Sequence, residues 1–382
     1  MKLLWTISNW KRTGPLEPSL DLAAAMGNGG HEVHVAVGRA PAGQPDRADV
    51  AAEARGLRLA ATGATLAKHS APLRNWRDVR RLRHWIAREN PAAIVTTQRN
   101  DHVLALRAAA GVGVPVVRLW FGDGLSEPDA RDRKALVRGA GALVLCERAR
   151  EQLAGFGLGP AALVQAAPPL DVEALRARAA GPADLRARAG VPADHLLVGI
   201  VARMQTHRRF EMLWDAVAAW KAAGVPASLV AIGRGTHEES VAREPVRRMG
   251  LGDVVHFTGY LRGEAYARAV ASLEAQILLV PGSDPTCRAL REGMALGVPS
   301  LATHRGMLPE LVTDGVTGIL VDETAASLAA AVTRMASERE QTRAMGVEAR
   351  ARADAAFATP VVARSLERLL EGATRGVPGR TA

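Results

Sequence analysis

LVPGSDPTCRALREGMALGVPSLATHRGMLPELVTDGVTGILVD, residues Leu279 to Asp322, completes an apolar run that starts at Ala275. That run, Ala275 to Val280, is too short for a helix and too apolar for a surface loop, so it reads as a buried parallel strand. Pro281 to Thr286 is turn chemistry. Asp284-Pro285 suits a helix start, with Asp284 as N-cap and Pro285 at the first helical position. The helix is expected to run to about Leu296, where Gly297 stops it and Pro299 to Ala302 opens the next strand. Strand, loop, helix and strand in this order put a helix N-terminus at the strand's carboxyl end. In an open α/β sheet ligands bind there, and the unpaired N–H groups of a helix start favour an anion. Glu292 lies about two turns into the helix, and Thr303 to Met307 forms a Gly-containing loop at the next strand end.

Glu292-Gly293-Met294-Ala295-Leu296-Gly297-Val298-Pro299 and Pro309-Glu310-Leu311-Val312-Thr313-Asp314-Gly315-Val316-Thr317-Gly318 resemble the donor-binding segment of retaining glycosyltransferase family 4, the group 1 glycosyltransferases. The family carries Glu-Ala-Met-Ala-x-Gly-x-Pro-Val and later Pro-Glu-(Ile/Leu)-Val-x-Asp-Gly-x-Thr-Gly. The resemblance is strong in the C-terminal half and weak in the N-terminal half. It implies an α/β chain of the GT-B fold, two Rossmann-like doubly wound domains facing a central cleft. The nucleotide-sugar would be bound by the C-terminal domain and the acceptor by the N-terminal one. The family's paired acids are two glutamates with seven residues between them, and counting back eight from Glu292 gives Asp284, one methylene shorter. The resemblance gives Glu292 the donor's ribose. For Asp284 two readings stand, contact with the donor sugar's hydroxyls and a helix cap alone. The segment between lacks the family's Gly-Phe-Gly and offers Thr286, Cys287 and Arg288, which with Ser283 and Ala289 are the donor-lining positions implied.

Leu196 to Val201 is an apolar strand that opens the second domain, and Ala202 to Phe210 after it resembles the family's Gly-Arg-Leu followed by Lys-Gly. The resemblance gives Arg203 and Arg208 the task of clamping the donor's diphosphate. Arginine in place of lysine keeps the charge and adds a planar fork for two phosphate oxygens. A structural ion pair is the competing reading for Arg208. Gly233-Arg234-Gly235 matches the family's Gly-x-Gly, and Tyr260 and Leu261 are the implied backbone contacts to the base. At the other end of the chain, strand Lys2 to Ser8, a loop with Gly14-Pro15, helix Leu16 to Asn28 and strand His31 to Val37 open a doubly wound domain. There Gly14 is the implied close approach to the donor phosphates. Beyond strand Val114 to Leu119, Phe121 stands where many relatives have a histidine facing the reacting sugar. His102 and Asp123 are the nearest polar candidates for a catalytic role. Cys146, alone at a strand end, reads as core.

A chain of 382 residues accommodates two domains. The expected boundaries are residues 1–170, a linker 171–195, a second domain 196–355, a returning C-terminal helix 356–372 and a frayed tail 373–382. The hydrophobic fraction of 48% excludes a disordered chain. No apolar run approaches the ~18 residues of a membrane span, and the apolar core of the N-terminus is too short for a signal peptide. A cytoplasmic protein, free or peripheral at the inner face of the membrane, is expected. Two cysteines exclude a disulfide framework and a cysteine metal cluster. No Asp-x-Asp occurs, so no metal and no cofactor beyond the donor is indicated. The net charge of +10 is concentrated in residues 1–170, with 23 Lys and Arg against 15 Asp and Glu. With aromatics at 4% and no reading module, nucleic acid is excluded as a partner. An anionic acceptor, an anionic membrane and a plain Arg-rich surface remain. Leu73 to Glu89 is a basic helix whose stripe of Leu73, Trp76, Val79, Leu82, Trp85 and Ile86 is expected to pack on the sheet, the other reading being a bilayer surface. The function implied is retaining transfer of a sugar from a nucleoside diphosphate to a glycolipid, polysaccharide or natural-product acceptor. An epimerase of the same architecture and a degenerate nucleotide-sugar-binding subunit are the alternatives.

Overall fold

Short apolar runs of four to six residues, with no polar alternation, need helices on both faces of their sheet, and the chain supplies them. The computed structural model describes residues 1–11, 16–44, 46–69, 71–122, 128–182, 185–280 and 286–375. Two compact units result, Met1–Leu170 with Ala358–Ala382, and Asp171–Phe357. In the first, β1 (Lys2–Ile7), β2 (Glu32–Val37), β3 (Arg58–Leu59), β4 (Ala93–Thr96), β5 (Val116–Trp120), β6 (Gly141–Val144) and β7 (Leu163–Gln165) form one parallel sheet. Its order is β3-β2-β1-β4-β5-β6-β7. In the second, β8 (Leu196–Val201), β9 (Ala227–Ile232), β10 (Val255–Gly259), β11 (Ala275–Leu278), β12 (Ser300–Thr303) and β13 (Gly318–Val321) pair in parallel as β10-β9-β8-β11-β12-β13. Each order reverses beside the unit's first strand, between β1 and β4 and between β8 and β11. Loops part at these switch points and leave a crevice at the carboxyl ends of the strands.

Each sheet is covered on both faces. In the second unit Phe210, Trp214 and Trp220 pack on one side and Leu185, Val270 and Leu273 on the other. The C-terminal helix Thr359–Arg375 lays Val362, Leu366 and Leu370 on the first sheet's core. It reaches three residues into the segment expected as a tail.

Residues 171–195, expected as a linker, hold helices Val172–Ala179 and Leu185–Ala189. The first packs on helix Gly263–Ala271 and ties Arg176 to Asp354 at 2.7 Å, so the segment is part of the second unit. The basic helix runs from Pro72 to Glu89. Leu82, Trp85 and Ile86 are core, whereas Leu73 and Trp76 at its start are exposed, so only part of the expected stripe packs. Among the described residues no helix is long and apolar enough to cross a membrane.

Candidate functional site

At the switch point of the second sheet β8 is followed by the segment holding Arg203 and Arg208, and β11 by Leu279 and Val280. Arg208 closes this gap. Its side chain is buried to 9% exposure, and its guanidinium Nη1 donates to the carbonyl of Val280 at 3.1 Å. A cation therefore stands between the two strand ends, directly before the loop that leads to Thr286. Arg203 follows β8 two residues on and is exposed, with no ion pair among the described residues.

The next helix starts later than expected. It spans Arg288–Ala295 with Cys287 at the N-cap position, left-handed at φ 50 and with no capping bond from its own side chain, so the N-cap falls three residues beyond the expected Asp284. The cause lies on the helix itself: Arg291, fully buried, donates from Nε to the carbonyl of Thr286 at 2.7 Å and from Nη2 to its hydroxyl at 3.1 Å. That fork holds Thr286 and Cys287 as a turn packed against the helix, where both are buried. Arg288 and Ala289 occupy the first helical turn. Ser283 and Asp284 lie outside the described residues, as do Gly14 and Asp123.

Glu292, 4% exposed, has both oxygens engaged. Oε1 accepts from Arg288 Nε at 2.8 Å and Oε2 from the phenol of Tyr266 at 2.6 Å. Burial, and then the adjacent carboxylate, push the Tyr266 phenol well above its usual value, so it stays a proton donor. The Glu292 carboxyl group is thus held in one orientation from both sides. Tyr266 is a residue that sequence reasoning missed, since the two are 26 apart and only the fold joins them. Arg288 was legible as a neighbour, because positions four apart share a helix face.

The glycines of the Gly-x-Gly after β9 are needed by the backbone. Gly233 adopts φ 143, and a Cβ there would meet the Ala202 carbonyl at 2.1 Å; one at Gly235 would meet the Met204 carbonyl at 1.9 Å. The loops after β8 and β9 thus cross main chain on main chain, and the amide of Met204 donates to the Arg234 carbonyl at 3.3 Å. The crossing fixes where the Arg203 loop can go. Tyr260, 54% exposed, has the guanidinium groups of Arg234 and Arg262 at 4.8 and 4.9 Å from its ring centre. Leu261 packs into the core of the second unit.

The first unit's switch point is occupied differently. Asp101, fully buried, accepts from the amides of Ser8 at 3.0 Å, Thr97 at 3.3 Å and Gln98 at 2.8 Å, and so joins the ends of β1 and β4. Burial pushes its carboxyl to about 6 against the pull of Arg118 and of those amides. His102 is core, which corrects its expected catalytic role. It has no exposed surface, and burial, aided by the Arg118 charge, pushes it to about 3. The ring is hydrogen-bonded at Nε2 to the Ala135 carbonyl at 3.3 Å and at Nδ1 to the Thr96 hydroxyl at 2.8 Å, and that hydroxyl in turn donates to the Val117 carbonyl at 2.9 Å. Phe121 packs on the same unit's core.

Comparison with known proteins matches residues 183–352 to the family model for glycosyl transferases of group 1 and residues 13–169 to that for the glycosyl transferase 4-like domain. A GDP-mannose-dependent alpha-mannosyltransferase of Mycolicibacterium smegmatis is 35% identical over 178 residues, 46% of this chain and 43% of that protein. A GDP-mannose-dependent alpha-(1-6)-phosphatidylinositol monomannoside mannosyltransferase of Mycobacterium tuberculosis is 28% identical over 222 residues, 56% of this chain and 57% of that protein. The chain thus spans about half the length of the curated relatives it matches. Among solved structures, Anabaena HepE in complex with UDP superposes with a TM-score of 0.76 at 19% identity, over 97% of this chain and 100% of that one. A glycosyltransferase from Rickettsia africae does so with a TM-score of 0.78 at 12% identity, over 98% and 99%. At such identities the likeness concerns the fold, the two-domain GT-B architecture expected from the sequence.

Proposed function

Because residues 183–352 match the glycosyl transferases of group 1 and residues 13–169 the glycosyl transferase 4-like domain, we propose that this chain transfers a sugar from a nucleoside diphosphate to an acceptor hydroxyl with retention of configuration, the donor held by the second unit. The observation that carries this reading is the opposite charge at the two switch points. Asp101 fills the first with a carboxylate that uses up three backbone N–H donors, so those amides are not free for a diphosphate. Arg208 fills the second with a guanidinium, where a diphosphate is stabilised. Arg203, exposed at the end of β8, is the second clamp, and the fixed carboxylate of Glu292 takes the ribose hydroxyls by exchanging its Arg288 partner.

As the bond from the sugar's anomeric carbon to the phosphate oxygen breaks, its electron pair stays on the β-phosphate. Arg203, Arg208 and the amides at the start of helix Arg288–Ala295 stabilise that charge. The acceptor oxygen bonds the same face of the anomeric carbon, and its proton passes to the departing phosphate oxygen. This route needs no protein base, in keeping with the burial of His102. The names of the mannosyltransferase relatives make GDP-mannose the first donor to try. The test incubates the full chain with GDP-mannose and UDP-glucose, with and without phosphorylated polyol and glycolipid acceptors, and reads product anomeric configuration by NMR. An α-linked product formed only with acceptor is expected. Epimerised donor in water alone would replace transfer by epimerisation.

A further inference from the structure

The first unit carries an unpartnered surface of mixed chemistry at the start of helix Pro72–Glu89. Leu73 is 81% exposed and Trp76 58%, beside the exposed Arg74, Arg77 and Arg80. The Arg80 guanidinium sits 4.9 Å from the Trp76 ring centre. Trp76 and Val79 edge a groove with Asn75 and Arg107, and the same Asn75 and Arg107 also line an adjoining cavity of about 660 Å³. The walls of this cavity carry Lys68, Arg99, Arg107, Arg131, Lys134 and Arg138 and, among the described residues, no aspartate or glutamate. Arg99 is paired with Asp129 at 2.6 Å and Asp132 at 3.1 Å. The other five have no carboxylate partner among the described residues.

Six cations gathered round one cavity, five of them without a carboxylate partner among the described residues, raise its potential and call for an anion with several acceptor oxygens. A soluble phosphate would answer the cavity but leave Leu73 and Trp76 in water. A bilayer interface answers both: tryptophan sits at headgroup depth, leucine enters the acyl boundary, and arginines meet lipid phosphates. We propose that the cavity of the first unit binds the phosphate of an anionic lipid headgroup while Leu73 and Trp76 enter the membrane interface. The inference concerns the first unit alone, so it stands or falls apart from nucleotide binding by the second.

The experiment sediments the full chain with vesicles of phosphatidylcholine, alone or mixed with phosphatidylglycerol, at rising salt. Binding to the mixed vesicles only, weakened by salt, is expected. Lys134→Ala with Arg138→Ala should weaken it about thirtyfold, at roughly 1 kcal/mol per cation near the surface. Leu73→Ser with Trp76→Ala should weaken it by about tenfold or more. All four positions are at the surface, and unchanged melting temperatures will show that the variants fold. Equal binding to neutral vesicles, or mixed-vesicle binding that both variants keep, overturns the proposal. So does stabilisation by inorganic phosphate that depends on Lys134 and Arg138 without sedimentation on either vesicle, which would identify a soluble phosphate ester as the occupant.

Discussion

Asp101 and His102, adjacent in the first sheet's crevice, respond to folding in opposite senses. The Asp101 carboxyl rises from 3.8 to about 6, so between those values the fold keeps a proton that the unfolded chain has released, and stability falls as pH rises. His102 drops from 6.5 to about 3, so there the unfolded chain holds the extra proton and stability rises with pH. Each slope reaches about 1.4 kcal/mol per pH unit, and the two offset each other below pH ~6. Relative to the unaltered protein, His102→Gln should gain up to about 1.4 kcal/mol on going from pH ~6 to ~5, and Asp101→Asn should lose as much. Urea unfolding at the two pH values checks both. In the second unit Tyr266→Phe should cost about 2 kcal/mol by removing a hydrogen bond to a buried carboxylate, read from the same urea curves. The elements that carry Arg203, Arg208 and Glu292 were legible, because an apolar strand and the Gly297 stop fix a strand-end loop and a helix within a few residues. Sequence reading misplaced His102, since burial of a polar ring between β4 and the Ala135 carbonyl leaves no mark in the chain's order.

Among the elements, the strands were legible because residues buried on both faces leave continuous apolar runs. The helix start near Asp284-Pro285 was not, because the cap depends on Arg291, which lies inside the helix and folds back on Thr286. Helix Arg288–Ala295 also rests on β11 through an amide. Gln276 Nε2 donates to the Leu290 carbonyl at 2.8 Å and the Ser300 hydroxyl at 2.9 Å. A Cβ at Gly293 would stand 2.1 Å from the Gln276 side-chain oxygen. Gly293→Ala should therefore destabilise by about 1–3 kcal/mol through overpacking. In a Gln276→Ala background the same change should stabilise by up to about 1 kcal/mol, since alanine is the better helix former. A double-mutant cycle by thermal melting measures that change of sign. Gly235→Ala has no such escape, because its obstacle is the Met204 carbonyl, and loss of soluble protein on expression is the expected outcome.

For the whole molecule, two parallel sheets that reverse beside their first strands carry Asp101 at one switch point and Arg208 at the other, and the proposed placing of the donor in the second unit rests on that contrast. The central claim is that Arg203 and Arg208 face a diphosphate there. Its most direct measurement is isothermal titration of the full chain with GDP and UDP, beside Arg203→Ala. At the end of β8 this exposed side chain can be removed without disturbing the core. The account predicts that at least one nucleoside diphosphate binds and that the variant loses about tenfold to a hundredfold in affinity, the worth of one charge-assisted hydrogen bond, with its melting temperature unchanged. Absence of binding by either nucleotide, or equal affinity in the variant, would contradict it.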